Sequence, residues 1–131
     1  MNALQMLKDT VAAKNASDAA EKARKIAEQN FLDNSFAPVL NFWKSVVDKT
    51  VIKYDGKEQP LSRLCASNGY YKANLKLWDG GGNYGWQYSA NGDGTIKVEY
   101  GNKTEFFSIS AEKAIQHLCS VIATYSPTFK E

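Results

Sequence analysis

Four runs of alternating polar and apolar residues, separated by glycine-bearing turns, fill residues 70–109, and no other feature constrains the fold as much. In "YYKANLKLW", Tyr71, Ala73, Leu75 and Leu77 alternate with Tyr70, Lys72, Asn74, Lys76 and Trp78. In "NYGWQYSA", Tyr84, Trp86 and Tyr88 share a side, and in "TIKVEY" Ile96, Val98 and Tyr100 do. "KTEFFSI" sets Phe107 and Ile109 opposite Thr104 and Phe106. A period of two is the signature of a strand with one face in a core. The breaks fall at "DGGG", "NGDG" and Gly101-Asn102, where glycine supplies the positive φ of a tight turn. Short turns between consecutive strands make them antiparallel neighbours.

The flanks read as helix. Leu4, Leu7 and Val11 form one stripe, and Ala19, Ala20, Ala23, Ile26 and Ala27 continue with small residues after a break where Asn15 or Ser17 suits a cap. This stretch is a helical hairpin or one long helix. Ser35 and Pro38 mark a new start, and Phe36, Val39, Leu40, Trp43, Val46 and Val47 give a central core helix over 37–48. "TVIKYDGKEQPL" is a hairpin whose Asp55-Gly56 suits a type I′ turn, with Pro60 ending the return strand or marking an edge. "SRLCASNG" reads as one or two helical turns. Ser110 caps a last helix with the stripe Ala114, Ile115, Leu118, Val121 and Ile122. The expected fold is α+β: an antiparallel β-meander of about four to six strands against a C-terminal and a central helix. One domain over 1–131 is expected, helical to residue 48, sheet over 49–109 and helix over 110–126, with a hydrophobic content of 44% that suffices for a core.

Charge and composition narrow the function classes. The net charge of +2 does not demand a nucleic acid or an anionic membrane, although 51–78 is basic and 79–110 acidic. No run reaches the roughly 18 apolar residues of a membrane span. No basic segment leads into an apolar one at the start, so a cytoplasmic location is expected. Cys65 and Cys119 stand 54 positions apart without zinc-ligand spacing. They are expected as buried free thiols, and a disulfide would require their segments to meet.

Catalytic constellations are missing. His117 is the single histidine, and Cys119, two residues on, points about 200° away around a helix. A structural, hydrogen-bonded histidine is the expected reading. Asp79, Asp93, Glu99 and Glu105 are scattered, "NGDG" lacks calcium-loop spacing, and the glycine runs lack the lysine of a phosphate loop. No enzyme activity, metal or cofactor is expected.

What remains is the cluster of aromatics and glycines in "LWDGGGNYGWQYSANGDG". Gly85 stands inside a strand pattern, which marks a bulge or a close approach. Tyr84, Trp86 and Tyr88 face either the helices, as core, or a partner, as a platform; core is favoured because neighbouring strands bury one face. The opposite face then carries Lys72, Lys76, Trp78, Lys97 and Phe106, lysines interleaved with rings. Strand, strand, strand, strand, helix over 71–122, with "TEFFSISAEKAIQHL" entering the helix, resembles the Whirly group of single-stranded-nucleic-acid binders. That resemblance implies a basic aromatic sheet gripping a single strand, yet "NYGWQYSA" has no basic residue and the chain only two arginines. The leading expectation is a non-catalytic protein binding a macromolecule, foremost another protein, as an inhibitor, immunity or anti-defence factor. Its candidate contacts are Trp78, Tyr84, Trp86, Tyr88, Phe106, Lys72, Lys76 and Lys97. Single-stranded nucleic acid or a sequestered small ligand are the alternatives, and a homo-oligomer is compatible with either.

Overall fold

The computed structural model describes residues 2–78, 84–101 and 106–130, the side chains of 67–71 and 84 excepted. It comprises two compact units, Met1–Phe31 and Leu32–Glu131. The first is helix with every described residue exposed. Asn2 Oδ1 accepts from the Gln5 N–H at 2.8 Å and caps it. Arg24–Glu28 and Lys25–Glu21 pairs, at 2.9 and 3.6 Å, run along it at i,i+4 spacing. Alanine, lysine and glutamate are strong helix formers, so this segment needs no core to favour helix locally.

Helix α1 (Ala3–Val46) continues without interruption through both expected breaks. Of the two readings of the N-terminal stretch the one long helix holds, and the separate start at Ser35 is corrected, because the same helix runs on through Pro38. A proline inside a helix costs about 3 kcal/mol through a missing hydrogen bond and a clash with the preceding turn. In the second unit, Phe36, Val39 and Trp43 reach 0% exposure and Leu40 8%. Burying four such side chains at about 1.5–3 kcal/mol each outweighs the proline. Tertiary packing decides here, against the local signal.

The second unit holds two antiparallel sheets. β1 (Thr50–Tyr54) and β2 (Lys57–Pro60) form the expected hairpin, and Asp55 and Gly56, at φ 54° and 75°, make its type I′ turn. β2 is an edge strand ending at Pro60. One 3-10 turn, Leu61–Leu64, meets the first of the expected helical turns, and β3 (Cys65–Tyr71) takes the rest of that stretch in place of helix. β3 turns back at Lys72–Ala73 into β4 (Asn74–Trp78), so the run 70–78 is a hairpin and not one strand. β5 (Tyr84–Ala90), β6 (Ile96–Tyr100) and β7 (Phe106–Ile109) complete a five-stranded meander in sequence order.

Helix α2 (Ala111–Ala123) begins at Ser110, whose Oγ accepts from the Lys113 N–H. It ends before Tyr125, and β8 (Thr128–Phe129) then pairs with β1, a strand the sequence pattern did not announce. The core joins Phe36, Val39, Leu40 and Trp43 with Leu75, Leu77, Tyr88, Ile96, Val98, Ala114 and Leu118. Neither thiol is fully buried: Cys65 is half-buried and Cys119 exposed, and both are free. Among the described residues no helix is long and apolar enough to cross a membrane.

Two stability measurements check this account. Replacing Pro38→Ala restores the Asn34 carbonyl's helical partner and is expected to raise unfolding free energy by about 1–3 kcal/mol in urea titration. Trp43 Nε1 is buried without a hydrogen-bond partner among the described residues. Trp43→Phe trades a small cavity against that unmet donor, so it is expected to cost under about 1.5 kcal/mol, where Trp43→Ala costs about 3–5.

Candidate binding surface

The helices cover one face of the five-stranded sheet, and the register orders what lies on the other. Lys76 faces Gln87, Gln87 faces Glu99, and Glu99 faces Phe106, one row across four strands. Asn74, Ser89, Lys97 and Ser108 form the row beside it. Leu75, Leu77, Tyr88, Ile96 and Val98 alternate with these positions and are buried beneath the helices. Lys76 and Phe106 are exposed, and Trp78, Gln87, Ser89, Lys97 and Glu99 are half-buried.

Phe106 is the prominent apolar group of this face, at 59% exposure. Lys97 lies diagonally across from it and holds its ammonium 4.4 Å from the ring centroid. The same Nζ is 3.9 Å from Glu99 Oε2. The lysine stem shields part of the sheet while its charge is shared between a ring and a carboxylate. Lys72 is exposed but sits in the β3–β4 turn, so it borders the face without being part of it.

Trp86 and Tyr88 lie on the covered side. Tyr88 is fully buried, and its hydroxyl makes a 2.7 Å hydrogen bond with His117 Nδ1. The His117 ring is edge-on to Trp86 at 4.5 Å, Tyr88 at 5.6 Å and Phe107 at 5.6 Å, and Trp86 is edge-on to Tyr100 at 4.9 Å. Tyr88 is therefore closed to a partner, and Trp86 is spent on helix packing. Tyr84 pairs through its backbone with Trp78, and its side chain lies outside the described residues. Between Lys76–Gln87 and Trp78–Tyr84, the single residue Leu77 opposes Gly85 and Trp86. That is a bulge, and it breaks the alternation from which Tyr84 and Trp86 were placed on one face.

Gly80, Gly81 and Gly82, expected as turn residues, lie outside the described residues. Asn91 and Thr95 close the β5–β6 turn, Gly94 adopts φ 88°, and Asp93 Oδ1 accepts from the Thr95 N–H and hydroxyl. Those hydrogen bonds hold the Asp93 carboxyl below its usual range. Asn91 Nδ2 also reaches Ser108 Oγ at 2.9 Å, tying the turn to β7.

Burial shifts the titratable groups of the covered side. Burial pushes the Tyr88 phenol far above its ordinary range, with the nearby Cys119 adding to the shift. Burial lowers His117 and raises Cys65. His117 is turned to Tyr88, while Cys119, two residues on, lies elsewhere on α2. Among the described residues no three of His, Cys, Asp and Glu gather as metal ligands would. The hydrogen-bonding groups Asn74, Ser89 and Ser108 of one row, with Gln87 in the row beside it, escaped the sequence reading, because small polar residues carry no signal until the register sets them side by side. Comparison with family models, curated proteins and solved structures finds no match for this chain.

The lowered His117 fixes a pH dependence. Its folded pKa lies below the unfolded value of 6.5, so the unfolded chain takes up a proton first as pH falls. Stability is full above about pH 6.5 and declines as pH drops through and below that value toward the folded pKa. Urea midpoints measured between about pH 7.5 and 5 are expected to fall for the native chain and to flatten in His117→Gln.

Proposed function

We propose that this chain is a non-catalytic binding protein whose partner is another protein, held on the uncovered face of the five-stranded sheet. The exposed Phe106 ring beside the stacked Lys97 is the observation that carries this reading. Interfaces draw most of their energy from a few anchors of this kind, set among polar neighbours. Trp78 and Lys76 extend the patch, and the Asn74, Ser89 and Ser108 row supplies hydrogen-bonding groups around it.

Charge supports a protein over a single-stranded nucleic acid. Glu99 stands between Gln87 and Phe106, in the path a phosphate backbone would follow, and it already engages Lys97. A backbone-gripping sheet needs several uncommitted cations, and on this face Lys76 is the main candidate. Two free thiols fit a reducing, cytoplasmic setting. The Tyr88–His117 bond supports a structural use of the single histidine and hence a role outside catalysis.

A photoreactive phenylalanine analogue placed at position 106 tests the reading in cells that make the protein. The expected result is one dominant crosslinked polypeptide that remains bound between about 50 and 500 mM salt. Phe106→Ala is expected to weaken that complex at least about tenfold and Lys97→Ala severalfold, with folding unchanged. Crosslinks to nucleic acid lost steeply with salt, or complexes indifferent to Phe106, would contradict the assignment.

A further inference from the structure

A concave surface in the Leu32–Glu131 unit uses none of the residues of the proposed sheet face. The end of α1, α2 and the β1–β8 pair enclose a groove of about 270 Å3. Phe42 and Val46 come from α1, Cys119 and Ile122 from α2, and Phe129 from β8, while Thr50 brings the one hydroxyl of the lining. The lining is otherwise apolar apart from the Cys119 thiol. The volume lies just under the roughly 300–1,000 Å3 of sites for cofactors and drug-sized ligands, and suits one bulky side chain.

The strand at the rim offers backbone as well. β8 is the outer strand of the order β2-β1-β8, and Thr128 and Phe129 are both exposed, Phe129 at 70%. The Lys130 N–H donates to the Lys49 carbonyl at 2.7 Å, and Phe129 is the register partner of Thr50. Antiparallel pairs alternate between bonded and non-bonded positions, so the Phe129 N–H and C=O point away from β1. An unpaired edge beside an apolar pocket is the arrangement in which sheets accept an added strand, its backbone giving affinity and its alternate side chain specificity. Pro127 has no N–H, which limits pairing on that side and sets the register at Phe129.

Charge restricts the guest further. Lys49 and Lys130 are exposed and joined through their backbones at the end of β8, with Lys44 in the last turn of α1. Asp48 lies in the turn after α1, and among the described residues the three lysines outnumber it at this end. We propose that this groove docks an extended peptide segment of a partner protein, pairing its backbone with Phe129, seating one bulky apolar side chain between α1 and α2, and placing an acidic residue against Lys49 and Lys130.

A displayed library of random heptapeptides, selected on the full chain, tests this. Enrichment of a bulky apolar residue adjacent to Asp or Glu is expected. The selected peptide, synthesised with a fluorophore, is expected to bind Ala123→Trp and Cys119→Trp about tenfold more weakly, both replacements filling the groove from exposed positions. N-methylation at its apolar residue is expected to weaken it comparably, and lysine in place of its acid severalfold. On the unmodified chain, the peptide should slow alkylation of Cys119 about fivefold and leave Cys65 unchanged. Phe106→Ala is expected to bind the peptide normally, which separates this outcome from the fate of the sheet-face assignment. No enrichment, equal binding to both filled variants, or tolerance of both N-methylation and charge reversal would overturn the proposal; the last result would indicate a site for small apolar ligands.

Discussion

Leu75, Leu77, Tyr88, Ile96 and Val98 leave water only because a helical surface lies over them, formed by Ala114 and Leu118 of α2 and by Phe36, Val39 and Trp43 of α1. A sheet with one apolar face has to bury it against another layer. That burial holds the five strands in one plane of packing and overrides the helix-breaking tendency of Pro38. It also orients everything else in the second unit, since each side chain fixed on the inner face places its neighbour on the outer one.

The two sides then acquire different chemistry. On the inner side, dehydration raises the cost of any charge, so Tyr88 and His117 stay neutral and satisfy each other through a single hydrogen bond. Trp86 of β5 and Phe107 of β7 close around that pair, which makes the histidine part of the packing. On the outer side, water remains available, and Lys97 can divide its charge between Glu99 and the Phe106 ring at little cost. The contrast explains why the aromatic-rich stretch does not act as a unit: Tyr88 and Trp86 serve the core, and Phe106, far along the chain, supplies the exposed ring.

The strand order carries a second consequence. The three-stranded sheet closes with only two residues of β8, so its outer edge is short, blunted by Pro127 on one side and flanked by lysines on the other. Short edges with a proline and a positive charge resist indiscriminate strand pairing. The groove beside Phe129 leaves that edge a selective surface, defined by shape and charge together.

How much of this was legible in the sequence follows from the range of the forces involved. Local alternation was enough for β6, for Leu75 and Leu77 as core, for the Asp55-Gly56 turn and for α2 with its Ser110 cap, because each depends on neighbours within a few residues. Gly85 inside a strand pattern marks the bulge as one of its two readings, but the hairpin at Lys72–Ala73, the continuation of α1 through Ser35 and Pro38, and the strand β8 were not legible, since each is selected by contacts between segments distant in the chain. The sequence by itself determined an α+β protein with a sheet apolar on one side. Tertiary structure alone decided which rings that side consumed, leaving Phe106 exposed beside a half-buried Lys97 and a groove at Phe129, because register and burial are properties of strands in contact and not of any strand alone.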